Sequence, residues 1–107
     1  VEQNTQKTID LYNKAIELGE SEGYYWLGYL YTRGKLVKQD YVKAFEYYQQ
    51  GCEQEDNISC LQMGYAYCDG EGVRQDFAKA KELYGKACDL GNQFGCDDYK
   101  KLQQKGY

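Results

Sequence analysis

Apolar positions along the chain follow the spacing of amphipathic helices. Three stretches place small or apolar residues at i, i+3, i+4 and i+7, which puts them on one face of a helix. Two shorter stretches between them use the spacing i, i+1 and i+4. The stripes are Thr8, Leu11, Tyr12 and Ala15; Ala44, Tyr47, Tyr48 and Gly51; Ala80, Leu83, Tyr84 and Ala87; and, in the shorter stretches, Leu27, Gly28 and Tyr31, then Met63, Gly64 and Tyr67. The pattern predicts two kinds of helix that alternate.

This pattern returns with a period of 36 residues. Residues 24–59 and 60–95 share twelve identities, and Lys7, Tyr12 and Ala15 match a further shift toward the N-terminus. Terminal units of repeat arrays are usually atypical because they face water on one side. We therefore expect one domain with four parts: an N-terminal half repeat over 1–23, repeats over 24–59 and 60–95, and a C-terminal capping helix over 96–107.

Residues at the predicted helix ends and crossings have simple physical roles. Asp40 and Asp76 precede the longer helices, where a carboxylate can cap free backbone N–H groups. Gly19 and Gly91 lie where a helix C-terminus favours a residue that tolerates positive φ. Gly28 and Gly64 recur within the shorter helices at a cost in helix propensity. We expect these two glycines to let a neighbouring helix approach closely.

The loop and helix start of each unit carry a motif of the form Gly-x-Gly-Val-x-x-Asp-x-x-Lys-Ala. One copy is Gly70, Gly72, Val73, Asp76, Lys79 and Ala80, and the other is Gly34, Val37, Asp40, Lys43 and Ala44, with Leu36 at the second glycine position. With its 36-residue period, the chain resembles the Sel1-like repeat proteins over nearly its whole length. The resemblance implies an all-α fold, an α/α solenoid of helix-turn-helix repeats related to tetratricopeptide superhelices. It also implies an adaptor or scaffold role, although fold alone does not define function.

Four of the five cysteines recur as two pairs that flank turns, and the residues leave open whether they are reduced, zinc-bound or oxidised. Zinc would require the pairs to converge, and the chain has no histidine. The spacing resembles the cysteine-rich, secreted Hcp-type branch of the family, which implies disulfides between Cys52 and Cys60 and between Cys88 and Cys96. Disulfides would indicate the periplasm or an extracellular location. Cys68 is then a free thiol, either packed as a small residue or exposed to intermolecular pairing.

Composition excludes several function classes. A net charge of −4 argues against a nucleic-acid surface, and no apolar run approaches the length of a membrane span. The resemblance to Hcp-type proteins suggests penicillin binding or weak β-lactamase activity as one alternative. Neither Ser21 nor Ser59 begins the Ser-x-x-Lys motif of serine β-lactamases. We expect no catalytic residue, no metal and no cofactor.

Analogy with tetratricopeptide arrays places the first helix of each unit on a concave face. The expected partner-binding residues on this face are Tyr25, Tyr29, Thr32, Arg33, Leu61, Tyr65 and Asp69, with Cys68 and Asp97 beside them. Tyrosine combines apolar area with a polar tip, which suits an interface. The recurring tyrosines at 12, 48 and 84, and at 31 and 67, are instead predicted to be core. Trp26 either covers the junction with the half repeat or is exposed.

The resulting hypothesis is a non-catalytic protein–protein interaction module that binds a protein or peptide on its concave face. An alternative of the same kind is a dedicated inhibitor or immunity protein of a bacterial toxin or enzyme, since a short acidic array suits blocking one basic partner. The chain begins with Val1, which leaves a trimmed piece of a longer array as a further possibility. The sequence does not indicate an oligomeric state.

Overall fold

The computed structural model describes residues 2–107, with side chains described from Asn4 onward. It consists of α-helices joined by short turns and loops: α1 (Glu2–Glu17), α2 (Glu22–Arg33), α3 (Tyr41–Glu53), α4 (Asn57–Asp69), α5 (Phe77–Asp89) and α6 (Gln93–Gln104). Each helix packs against the next one in the chain, and α2 also packs against α4. The resulting body measures 48 × 26 × 17 Å. The predicted all-α solenoid is confirmed.

The loop motif is tied to the preceding helix by two hydrogen bonds and caps the following helix with a third. In the second unit the Gln75 side chain donates to the carbonyl of Cys68 (2.7 Å), and the Asp76 backbone N–H donates to the carbonyl of Tyr67 (2.9 Å). The Asp76 carboxylate accepts from the backbone N–H of Lys79 (3.1 Å) and so caps α5. The first unit repeats all three bonds with Gln39, Asp40 and Lys43. The predicted caps are therefore confirmed.

The recurring glycines of the first helices contact tyrosine rings of the second helices. Tyr48 lies against Gly28, and Tyr84 lies against Gly64; a Cβ at either glycine would overlap the ring. The two rings are 4% and 3% exposed, respectively, and both belong to the core. The close approach expected at these glycines is present.

The turns that follow second helices share one backbone pattern. Glu55 donates its backbone N–H to the carbonyl of Cys52, and Asp56 donates to the carbonyl of Gly51, each at 2.9 Å. This pair of bonds is a Schellman motif, whose central residue takes positive φ. Gly19 and Gly91 occupy that position with φ of 86° and 98°, whereas Glu55 has φ 63°. The predicted role of the two glycines is confirmed, and Glu55 takes the same conformation without being glycine.

The core lies between consecutive helices, and the recurring tyrosines contribute unequally to it. Tyr48 and Tyr84 are buried, while Tyr12, Tyr31 and Tyr67 are only half-buried. Lys43 and Lys79 cover the outer faces of the Tyr31 and Tyr67 rings, and Tyr12 stacks on Trp26. The prediction that all five are core residues was therefore too broad. The predicted unit boundaries at 23/24 and 59/60 fall inside α2 and α4.

Candidate partner-binding face

An aromatic cluster is formed by three residues of α2 and one of α1. The Tyr25 and Tyr29 ring centroids lie 5.9 Å apart, and Trp26 meets Tyr25 edge-on at 4.9 Å. Trp26 also lies 6.1 Å from the ring of Tyr12 on α1, in a stacked arrangement, while remaining 42% exposed. The two alternatives for Trp26 are therefore not exclusive, since it covers the junction with α1 and is also exposed. We call Tyr12, Tyr25, Trp26 and Tyr29 the aromatic cluster.

Arg33 and Thr32 continue the face toward the end of α2. The Arg33 guanidinium lies over the Tyr29 ring, 5.6 Å from its centroid, and the side chain is exposed. The Thr32 hydroxyl is 3.0 Å from the Tyr48 hydroxyl and 3.0 Å from the Gly28 carbonyl. Its hydrogen bonds therefore point into the interface between α2 and α3. Arg33 offers a partner a charged group, whereas Thr32 mainly supports the packing.

The corresponding part of the second unit is more deeply engaged in packing. The Tyr65 ring lies 5.7 Å from that of Tyr84, edge to face, and its hydroxyl interacts with the Asp98 carboxylate of α6. Burial, followed by the negative charge and hydrogen bond of Asp98, raises the pKa of Tyr65 to about 12. Tyr84 donates its hydroxyl proton to the Cys68 sulfur at 3.2 Å. Both tyrosines are neutral hydrogen-bond donors at ordinary pH.

Burial of Leu61 corrects the expected contact set. Leu61 was expected to contact a partner, but its side chain is only 5% exposed and belongs to the hydrophobic core of the protein. Leu61 is the fifth residue of α4, and it lies on the face of this helix that packs into the core rather than facing solvent. Asp69 is exposed, and Asp97 is exposed with its carboxylate accepting from Gln93 at 3.0 Å. Leu61 therefore leaves the candidate contact set.

The structure shows a cavity and a helix cap that were not predicted from the sequence. Between the units lies a cavity of about 40 Å³ whose lining includes Thr32, Tyr48 and Tyr65. At the start of α4, the buried Asp56 carboxylate accepts from both the backbone N–H and the hydroxyl of Ser59, at 2.9 and 2.6 Å. An Asp-x-x-Ser spacing before a helix signals such a cap. Asp56 also contributes, after burial and Tyr29, to the raised pKa of Tyr25.

Both expected cysteine pairs are bonded. The Cα atoms of Cys52 and Cys60, and those of Cys88 and Cys96, are 4.6 Å apart, and each disulfide joins the end of a second helix to the next first helix. Cys68 is a free, half-buried thiol. Over the part of the chain that the structure describes, no group of His, Cys, Asp and Glu side chains is arranged to hold a metal ion. None of the helices in residues 2–107 has both the length and the apolar composition needed to cross a membrane.

Alternating helices, recurring Gly–Tyr contacts and disulfides at the unit junctions define a disulfide-bonded α/α solenoid, a class built for binding rather than for one chemistry. The chain belongs to the Sel1 repeat family, whose model matches residues 1–20, 21–56 and 57–92. The second and third matches begin at or next to the starts of α2 and α4. Members of this family generally act as non-catalytic protein–protein interaction modules.

Three solved structures are similar to this chain. Helicobacter pylori cysteine rich protein B (hcpB) is 38% identical, with a TM-score of 0.80 over 86% of this chain and 69% of its own. A Sel1 repeat protein from Oxalobacter formigenes is 30% identical, with a TM-score of 0.78 over 87% of this chain and 38% of its own.

The third is c5321, a protective antigen of uropathogenic Escherichia coli with an SLR fold, which is 31% identical, with a TM-score of 0.83 over 92% of this chain and 21% of its own. Two of the three similar proteins are thus far longer than this chain. No match was found among curated proteins.

Proposed function

We propose that this chain is a non-catalytic interaction module that binds a partner protein or peptide through the aromatic cluster and the adjoining residues Arg33, Tyr65 and Asp69 of α2 and α4. The observation that carries the proposal is Trp26, the exposed member of the aromatic cluster. Trp26 is 42% exposed although it is one of the largest apolar side chains, and it stands where the second unit has the polar Gln62. A large exposed aromatic residue at a position that the repeat does not require supports a binding role.

The arrangement of the cluster favours binding for a second reason. Tyr25, Trp26 and Tyr29 contact one another, so their rings are already held in place before a partner arrives. Less side-chain entropy is then lost on association than with flexible side chains. Arg33 over Tyr29 adds a charged group at the edge of the aromatic surface.

We also propose that the protein works in the periplasm or outside the cell. Two disulfides within one small domain support an oxidising compartment, because cytosolic thiols are normally kept reduced. The likeness to H. pylori cysteine rich protein B, a cysteine-rich relative, agrees with this proposal.

Site-specific photocrosslinking tests the binding face. A photoreactive amino acid is introduced at Tyr29 and, as a matched control, at Tyr47, a half-buried tyrosine on α3 that stacks on Tyr31. Crosslinking in cells that carry the protein, followed by mass spectrometry, identifies the partner. The purified partner is then titrated against the wild type, against Tyr29→Ala combined with Tyr65→Ala, and against Tyr47→Ala.

We expect the double variant to weaken binding at least tenfold, because aromatic anchors carry much of the energy of protein interfaces. Tyr47→Ala should bind as the wild type does. Equal binding by the double variant would show that the face is assigned incorrectly. Hydrolysis of the chromogenic β-lactam nitrocefin clearly above buffer would contradict the non-catalytic part of the proposal.

A further inference from the structure

A groove lies where α2 runs into the loop before α3. It has a volume of about 190 Å³ and is lined by Tyr29, Leu30, Arg33, Lys35 and Leu36. Leu36 is 51% exposed, so part of an apolar side chain faces the solvent. The groove therefore combines an apolar wall with two cationic side chains.

The same positions of the second unit carry the opposite chemistry. Thirty-six residues later, Asp69 replaces Arg33 and Glu71 replaces Lys35. Both units nevertheless keep the loop hydrogen bonds that hold their helices together. Because the fold accepts either charge at these positions, the cations at 33 and 35 are not required for folding.

In the second unit the corresponding space is reduced to the cavity of about 40 Å³ between the units, which Tyr65 and Glu71 help to line. Gly72 lies so close to the Tyr41 backbone carbonyl that a Cβ at this position would overlap it. The Glu71 carboxylate interacts with the Tyr41 hydroxyl and favours its protonated form, which raises the pKa of Tyr41. Leu36 stands at the position of Gly72 in the first unit, and there the side chain is exposed beside the groove. The difference between the units is therefore one of both charge and shape.

We infer that this groove binds an acidic segment of a partner polypeptide, in which carboxylate side chains flank an apolar residue. The carboxylates would pair with Arg33 and Lys35, and the apolar side chain would pack against Leu30 and Leu36. Asp69 and Glu71 repel such a segment from the second unit, so the charges also set its direction along the face. This inference rests on the proposed function and names the chemistry of the partner at one end of the same face.

The repeat supplies matched variants for the test. Arg33→Asp with Lys35→Glu places the residues of the second unit on the first, where the fold already accepts them. Leu36→Gly likewise introduces the residue found at position 72. The probe is the peptide Gly-Asp-Leu-Asp-Phe-Glu-Leu-Gly, and its control carries lysine at each acidic position. Binding to the isotope-labelled chain is followed by NMR shifts of backbone amides, and each variant is first checked for wild-type thermal stability.

The acidic peptide should shift the amides at 33–36, and the lysine peptide should not. Exposed ion pairs are individually weak, so the double charge swap should weaken binding about fivefold. Raising the salt concentration from about 50 to about 300 mM should also weaken binding of the acidic peptide. Leu36→Gly should also weaken binding, without any change in the salt dependence.

Two results would overturn the inference. If both peptides bound equally and the charge swap changed nothing, the face would bind peptides without selecting acidic ones, and the proposed function would stand. If neither peptide shifted these amides at about 1 mM, the groove would not be an acidic-peptide site. The photocrosslinking experiment then decides the proposed function independently.

Discussion

Glu55 is the one non-glycine residue with positive φ among residues 2–107, and it can be used to measure the energy of the turns between units. Its φ of 63° places it in the left-handed region, where a Cβ costs roughly 1–2 kcal/mol. Gly91 has the same position and the same hydrogen bonds in the next turn. We therefore expect Glu55→Gly to stabilise the protein and Gly91→Ala to destabilise it.

The magnitudes follow from two opposing effects. Glycine at position 55 removes the left-handed cost, but it gives the unfolded chain more freedom, worth about 0.4–1 kcal/mol. The free energy of unfolding should therefore rise by about 0.5–1 kcal/mol in Glu55→Gly. A Cβ at Gly91 meets no atom within 4 Å, so Gly91→Ala introduces no clash and should lower the free energy of unfolding by a similar amount.

Guanidinium unfolding followed by circular dichroism, with the disulfides intact, measures both changes. Glu55→Ala is the control, since it removes the carboxylate while keeping the Cβ, and its stability should stay near that of the wild type. The reasoning fails if Glu55→Gly is less stable than Glu55→Ala. It also fails if Gly91→Ala leaves the free energy of unfolding unchanged.

Three further predictions concern packing, redox state and pH. Gly64→Ala should lower the free energy of unfolding by about 1–3 kcal/mol by overlap with Tyr84, despite better helix propensity, and Tyr84→Leu in the same chain should remove most of this penalty in denaturant unfolding. Alkylation of the unfolded, non-reduced protein should modify Cys68 alone, as read by intact mass; five modified thiols would contradict the disulfides. Burial raises the pKa of Tyr48 and of Tyr65 to about 12, so the unfolded chain loses these protons first as pH rises. Their contribution to stability is full below about pH 10 and should decline toward pH 12, and a flat unfolding free energy over that range would refute it.

The periodic part of the sequence predicted most of the fold. The capping role of Asp76 and the close contact at Gly64 were predicted from residues that recur at equivalent positions, because each repeat packs its two helices in the same way. Positive φ at Glu55 was not predicted, since the backbone conformation there is dictated by the Schellman turn and not by the residue. The burial of Leu61 was missed because analogy assigned its direction without the packing of the neighbouring helices.

The candidate site was less predictable because it depends on contacts between residues far apart in the chain. The interaction between Tyr65 and Asp98 links α4 to α6, and no local pattern in the sequence indicates it. Trp26 could be recognised as unusual from its mismatch with Gln62, but its stacking on Tyr12 depends on how α1 packs against α2. Local signals therefore located the face, whereas its detailed contacts required the structure.

Comparison of the two units distinguishes residues that maintain the solenoid fold from residues that are available for partner recognition. Residues that recur in both units form the Gly–Tyr contacts and the aspartate caps, so they are engaged in buried packing or in hydrogen bonds. Positions that differ most in chemistry, Arg33 against Asp69 and Lys35 against Glu71, lie at the ends of first helices and in the loops that follow them. Since the loop is held by Gln39 or Gln75 in either case, these differences are free to serve recognition. The parts of this chain that depart from its own repeat are therefore where its binding specificity should be sought.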